Sequence, residues 1–474
     1  MSTRLATGGR LLNKSKAVKF RFNGKHMDGY EGDTLASALL ANDQMLVGRS
    51  FKYHRPRGIV AAGPEEPNGL VNLGEEGKFE PNARVTTTEL FDGLTAQSQN
   101  HWPSLEFDVG AINKHLGRFL PAGFYYKMFI HPRPLWKHVY EPIIRHSAGL
   151  GRAPKTRDED SYEHFYSFCD VLVVGGGVAG LEAARAAALS GARVMLIEQT
   201  AHWGGRTPVD GGEINGKTAQ DWINATLAEL KGMENVTLRT RTMGAGVYDH
   251  GYVLGYEQLT DHAPEKAGPR HRLWRIRAKH IITATGAIER PLSFAGNDIP
   301  GVMLAASVRD YVVNYGVSAG DRTVVVTNND DAYLTAFALK HAGLDVPAIL
   351  DARIPSKDSD VMTQAKALGI RVLTGHGVSS VKGGKRVTSV EICAQAGEGA
   401  VLEEINCDAV AMSGGWSPVV HLWSHCGGKL TWDTTNACFN PDPDNAPKGA
   451  DGGQFACSYT HLRAHETVLD LVCR

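Results

Sequence analysis

The chain has 474 residues, with 50 Lys and Arg against 51 Asp and Glu for a formal net charge of -1. That balance supplies no global field to draw in nucleic acid or an anionic membrane. No run of about 18 apolar residues marks a membrane span, and the basic residues 1–20 lack the apolar core of a secretory signal. The length suits roughly three domains. The 7 cysteines, odd in number and widely spaced, fit free thiols in a reducing, cytoplasmic compartment better than a disulfide framework.

Residues 1–16 read as a short flexible arm. From Ala17, VKFRF and HMDGY are joined by Asn23-Gly24, a strong hairpin dipeptide, and Gly32-Asp33 is expected to cap a helix running to about Asn42. RSFKYHRPRGIVAAGPEEPNGLV at 49–71 is basic, aromatic and turn-rich, and ARVTTTEL from Ala83 reads as a returning strand. Residues 17–100 thus resemble the ferredoxin-like domain at the front of several amine-oxidising flavoenzyme subunits. In iron–sulfur members, a loop after the first helix supplies cysteine thiolates to a [2Fe–2S] cluster. The first cysteine of this chain is Cys169, so the ligand count excludes a cluster here and leaves a structural or docking module without metal. Residues 101–165 form a connector rich in aromatic and basic residues, ending in a solvated, charged linker over 152–164.

At 171–180, VLVVGGGVAG places a buried-strand run directly before glycines spaced as GxGxxG. Gly175 serves the sharp turn, Gly177 the close approach of backbone to a pyrophosphate, and Gly180 the packing of helix on strand. Gly176, Val178 and Ala179 complete the turn, and the helix N-terminus is the phosphate site. A small-residue helix over 181–189, a Gly191-Ala192 break and an apolar strand over 193–197 lead to Glu198. That acid is placed to accept hydrogen bonds from the adenosine ribose of NAD or FAD. In the following HWGGR, Gly204-Gly205 lets the chain pass close to a dinucleotide, with Arg206 beside it, and His202 reads as a packing or cofactor-contact residue. Disulfide reductases of this architecture carry a C-x-x-C next. Here the residues are Arg206, Thr207, Pro208 and Val209, which removes dithiol chemistry.

HIITATGAIERPLSFAGNDIPGVM at 280–303 holds a strand ending in ATG, which returns the chain to the dinucleotide site with Thr285 and Gly286 at the strand end. TVVVTNNDDAYLTAFALKHAGL at 323–344 and VPAILDAR to Arg353 repeat the βαβ rhythm. They mark a second nucleotide-like subdomain over about 320–400, inserted in a Rossmann-like domain spanning 166–457. Asn328, Asn329, Asp330 and Asp331 stand where its phosphate-binding glycines would be, and two adjacent aspartates repel a pyrophosphate, so this second site is expected to be empty or altered. DAVAMSGGWSPVVHLWSHCGGKLTWD at 408–433 reads as the strand and turn closing the first nucleotide domain, and its Gly415 joins the candidate site. The expected fold is α/β: a Rossmann-like, two-dinucleotide-binding-domain flavoprotein architecture preceded by a small ferredoxin-like α+β domain without an iron–sulfur cluster.

The order of RSFKYHRPRGI, SQNHWPSLEFD, VVGGGVAG, ATGAIERP, TNNDDAY and SGGWSPVVHL resembles the α subunits of heterotetrameric sarcosine oxidases, from about Lys16 to about Cys457. The resemblance implies NAD held noncovalently by this half of the subunit, with FAD as the alternative in the same site. It implies FMN and FAD in partner subunits and their interface, and β, γ and δ partner chains. It also implies a small amine substrate, sarcosine, oxidised to glycine with release of hydrogen peroxide and transfer of the one-carbon unit to tetrahydrofolate. Three other readings stand beside it: an α subunit of an opine or D-amino-acid dehydrogenase or a hydrogen cyanide synthase, whose front domains often keep cysteines, a non-catalytic nucleotide-binding scaffold, and a self-sufficient FAD-dependent reductase. No catalytic residue is assigned, because in this family the residues facing the flavin lie mainly on the β subunit. The family's folate-binding domain has no counterpart in this chain, and residues 458–474 read as a non-native, adapter-derived tail.

Overall fold

The computed structural model describes residues 3–117, 131–148, 153–447 and 455–457, together with residues 123, 127 and 129. The chain divides into two compact units, Met1–Glu159 with Pro291–Gly414, and Asp160–Arg290 with Gly415–Arg474. The tail expected over 458–474 lies outside the described residues.

In the first unit, strands Asn13–Phe22 and Lys25–Glu31 pair antiparallel across Asn23-Gly24. Both turn residues take positive φ, 50° and 77°, as a two-residue hairpin with the strands' own twist requires. The sheet runs in the order Lys25–Glu31, Asn13–Phe22, Thr95–Ser98, Leu70–Leu73, Glu80–Arg84. Helix Leu35–Ala41 buries every residue. Its N-cap is Thr34, which exchanges hydrogen bonds with Ser37 in a capping box. Gly32-Asp33, expected to cap, instead places Asp33 beneath the helix, where it pairs with Arg4 at 2.8 Å and accepts from Ser37 Oγ at 2.7 Å. The N-terminal segment is therefore not a free arm: the Thr3 N–H donates to Ala41 O at 3.2 Å and the Leu5 N–H to Gly316 O at 2.8 Å. The β-branched run after Ala83 is a turn rather than a strand. Its hydroxyls bond nearby backbone, Thr86 Oγ1 to Gly63 O at 2.6 Å and Thr88 Oγ1 to Arg84 O at 2.9 Å, which competes with a ladder.

Beside a three-stranded antiparallel sheet, His376–Gly383, Val387–Ala394 and Val401–Asn406, the unit also holds a parallel sheet in the order Val302–Leu304, Ala409–Ser413, Thr323–Thr327, Ile349–Asp351, Val372–Thr374. Helices Ala305–Tyr315 and Asp331–His341 lie on it, and it reaches beyond the expected 320–400 at both ends. Ala409–Ser413, expected to close the first nucleotide domain, is wholly buried within this second sheet. An unbroken apolar run marks a strand covered on both faces, and either parallel sheet accepts it. Phe20, Leu39 and Leu40 of the front module share one hydrophobic core with Tyr311, Tyr333 and Phe337.

The second unit is built on a sheet in the order Val236–Arg239, Val194–Ile197, Tyr162–Val174, His271–Thr283, Tyr252–Gln258, Thr242–Tyr248, with Phe455–Cys457 pairing parallel to residues 281–283. The parallel part has the strand order of a nucleotide-binding α/β fold. Helices Val178–Leu189 and Ala219–Lys231 cover one face through Leu181, Ala184, Trp222 and Ile223, and Val247, Ile276 and Trp423 fill the other. Among the described residues, no helix is long and apolar enough to cross a membrane.

Candidate functional site

The turn at the end of strand Tyr162–Val174 is made by glycines with different tasks. Gly175 has φ 109°, and a Cβ there would lie 2.3 Å from Ala284 O, so only glycine turns the chain against the neighbouring strand end. A Cβ on Gly180 would lie 1.8 Å from Gly175 O, which makes this the point of closest approach between helix and turn. A Cβ on Gly176 would meet the Trp203 ring at 2.5 Å. Gly177 differs from all three: nothing lies within 4 Å of its Cβ position. It is also the N-cap of helix Val178–Leu189, and no side chain caps it. The first turn of that helix, with Val178 and Ala179, thus presents its positive end toward open space, the arrangement that receives an anion.

Glu198 stands at the end of strand Val194–Ile197, 8% exposed. Its Oε2 accepts from the Gly176 N–H at 2.7 Å and its Oε1 from the Thr200 N–H at 2.8 Å. Burial pushes the Glu198 carboxyl above its ordinary range against these N–H bonds. Gly204 and Gly205 close the other side of the turn: the Gly204 N–H donates to Gly176 O at 2.8 Å, and a Cβ on Gly205 would be 3.2 Å from Gly177 Cα. Trp203, which the sequence reading did not select, packs against Gly176. Its signal was an aromatic residue immediately before a Gly-Gly turn. The side chain of His202 is exposed, while its backbone brackets the Thr200 hydroxyl.

Thr285 and Gly286 follow the Ala284 carbonyl that abuts Gly175. Thr285 Oγ1 donates to Val419 O at 2.9 Å, and the Val419 N–H returns a bond to Gly286 O at 2.9 Å. Strands Ala287–Glu289 and Trp416–Pro418 pair just beyond. Gly415, with φ 90°, begins this return, and its carbonyl accepts from the Arg290 N–H at 2.8 Å. Arg206 pairs with Asp210 at 3.0 Å and lies over the Trp416 ring. Gly175 to Gly180, Glu198, Gly204 and Gly205 therefore form one contiguous turn, flanked by Thr285 and Gly286, while Arg206 and Gly415 meet at Trp416. Burial pushes the Cys169 thiol, on the strand leading into the turn, up to about 12.

In the corresponding turn of the second sheet the acidic side chains are ion-paired. Asp331 pairs at 3.1 Å with Arg309, whose side chain is 1% exposed, and Asp330 pairs with Arg353 at 2.7 Å. Asp351, at the strand end matching Glu198, is spent on Arg353 and on the Tyr333 hydroxyl at 2.9 Å.

Residues 169–437 match the family model described as pyridine nucleotide-disulphide oxidoreductase, and residues 15–101 match a 2Fe-2S iron-sulfur cluster binding domain. The chain is 47% identical over 431 residues to the sarcosine oxidase subunit alpha of Rhizobium meliloti (strain 1021), covering 90% of this chain and 43% of that one. It is 38% identical over 439 residues to the sarcosine oxidase subunit alpha of Corynebacterium sp. (strain P-1), covering 91% and 40%. It thus spans less than half the length of these relatives. Among solved structures, L-proline dehydrogenase from P. horikoshii shares the fold, with a TM-score of 0.62 at 22% identity over 97% of this chain and 72% of that one. Clusters of the 2Fe-2S kind take thiolate ligands. Residues 15–101 contain no cysteine, so the residues present do not fit that group.

Proposed function

The chain belongs to the pyridine nucleotide-disulphide oxidoreductase family, and from that premise we propose that it is the nucleotide-holding part of a multi-subunit flavin-dependent amine oxidase, with NAD in the turn of its second unit. The observation that carries the reading is the open space at Gly177, above a helix N-terminus that no side chain caps and beside the buried Glu198. Gly177, Val178 and Ala179 receive the pyrophosphate, and Glu198 accepts from the ribose hydroxyls. Gly176 and Gly180 hold the turn tight, Gly204 and Gly205 form its second wall, and Thr285, Gly286, Arg206 and Gly415 line the approach. NAD, when bound, supplies a hydride-accepting ring; these residues bind and orient it. The second nucleotide-like site is expected to be empty or altered, because Asp330 and Asp331, paired with Arg353 and Arg309, stand where phosphate-binding glycines would be and disfavour a pyrophosphate.

Similarity to the sarcosine oxidase subunits supports sarcosine as the substrate, oxidised to glycine with hydrogen peroxide and one-carbon transfer to tetrahydrofolate. In this reading FMN and FAD belong to partner subunits of a β, γ, δ set, and the substrate-facing residues lie there. A cytoplasmic location suits the free thiols of Cys169, Cys393, Cys407, Cys426 and Cys438. The test is the absorbance spectrum of the purified chain and chromatography of what heat releases from it. Colourless protein releasing one NAD per chain is the expected result. Flavin bands with FAD released would make the chain a flavoenzyme in its own right, and protein carrying and binding no dinucleotide would refute the site.

A further inference from the structure

The front module matches a family of iron–sulfur domains yet offers no thiolate, and its loop after helix Leu35–Ala41 is nonetheless ordered around one group. Glu66 is 1% exposed. Its Oε2 accepts the N–H groups of Val60 and Ala61, each at 2.7 Å, and its Oε1 accepts those of Asn68 at 2.7 Å and Gly69 at 3.0 Å. Four backbone donors from the two sides of one loop thus converge on a single carboxylate. A concavity of converging backbone N–H groups is an anion site, and iron–sulfur clusters occupy such concavities. We infer that the Glu66 carboxylate replaces the cluster as the anionic hub of this loop, making the front module a metal-free and redox-inert clamp.

The Val60 carbonyl accepts from the Leu304 N–H at 2.8 Å, and the Ala61 carbonyl accepts from the Tyr311 hydroxyl at 2.9 Å. Leu304 and Tyr311 belong to the strand and helix that open the second nucleotide-like sheet. Just before Val60, Arg55 pairs with Asp298 at 3.2 Å, Arg57 pairs with the same carboxylate, and a Cβ on Gly58 would lie 2.8 Å from Pro300 Cα. Two of the four residues whose N–H groups Glu66 gathers, Val60 and Ala61, therefore fasten the front module to Leu304 and Tyr311, beside the contacts that Arg55, Arg57 and Gly58 make with residues 298–300 of the same compact unit. An acidic side chain does this without a metal because its two oxygens offer about four lone-pair sites, one for each donor. This inference is independent of what the glycine turn of the second unit binds.

The test combines metal analysis with amide hydrogen exchange on the full chain. In the unmodified protein, the amides of Val60, Ala61, Asn68 and Gly69 are expected to be protected. Iron and sulfide should stay absent after anaerobic reconstitution with ferrous iron and sulfide. Glu66→Gln turns one acceptor into a donor facing two N–H groups, so these four amides should exchange about ten- to a hundredfold faster, the equivalent of one lost charge-assisted hydrogen bond. Incorporation of about one cluster per chain would overturn the inference, as would unchanged exchange in Glu66→Gln. If Glu66→Gln does not fold, the unmodified chain decides: four amides exchanging at unprotected rates refute the hub, and four protected amides with no cluster sustain it.

Discussion

Two alanine substitutions three residues apart should have opposite consequences. At Gly180, a Cβ would sit 1.8 Å from the Gly175 carbonyl oxygen and 3.3 Å from Ala284 Cβ. The obstacle is backbone, so the helix must move off the turn. Overpacking costs about 1–3 kcal/mol, and the better helix propensity of alanine returns at most about 1 kcal/mol. Because a carbonyl cannot swing aside as a side chain does, the upper end applies, for a net loss of about 2 kcal/mol. In a unit of this size that lowers Tm by about 4–8 °C. At Gly177 the backbone is extended, with φ −68° and ψ 179°, and the Cβ position is open. Gly177→Ala should change stability by less than about 0.5 kcal/mol, yet it fills the space where the pyrophosphate must approach the backbone. Its cost in affinity is about ten- to a hundredfold, the value of one hydrogen bond to a charged group. Thermal unfolding of both variants, with calorimetric titration of NAD into nucleotide-free protein, separates the two effects. Unchanged NAD affinity in Gly177→Ala would refute the placement of the pyrophosphate, and a Gly180→Ala chain melting within about 1 °C of the parent would refute the packing argument.

The raised Glu198 pKa makes two measurements informative. Folding favours the protonated form, so this group's contribution to stability is complete below the ordinary value of about 4.3 and is lost as pH rises through the raised value. Glu198→Gln should flatten that part of the stability profile. Ribose hydroxyls donating to Glu198 favour the carboxylate, so NAD binding should release protons and tighten as pH rises across the same window. Titrations giving identical heats in buffers of different ionisation enthalpy would sink the ribose contact. In the second sheet, Asp331→Ala removes the carboxylate paired with the buried Arg309, which keeps its bond to the residue-331 carbonyl, and should cost about 3 kcal/mol in chemical denaturation. Asp330→Ala, at a half-exposed pair, should cost less than about 1 kcal/mol. Thr34→Ala removes the true cap of helix Leu35–Ala41 and should cost about 1 kcal/mol in the same assay.

Signals confined to a few consecutive residues were readable without the structure. The Asn23-Gly24 hairpin, the strand before Gly175 and the acid at Glu198 each follow from a local rule, because turn geometry, apolar runs and strand-end placement involve neighbours in sequence. The misreadings share the opposite property. Gly32-Asp33 resembled a cap, but Asp33 was claimed by Arg4 from 29 residues away. The threonines after Ala83 resembled a strand, but their hydroxyls found carbonyls as distant as Gly63.

The amino-acid order by itself determined that this chain carries glycines spaced as GxGxxG after an apolar run, adjacent aspartates in place of glycines in a second such stretch, and a front module without cysteine. Those statements rest only on which residues stand where in the chain. Only the tertiary structure decided that Ala409–Ser413 belongs to the second sheet, and that Asp330 and Asp331 are paired by Arg353 and Arg309. It alone showed Glu66, an unremarked acid in a turn-rich loop, gathering four backbone N–H groups. An apolar strand fits any parallel sheet, and a carboxylate accepts from any donor within reach. The choice among partners is made by burial, where leaving a charge or an N–H unpaired costs more than any local preference.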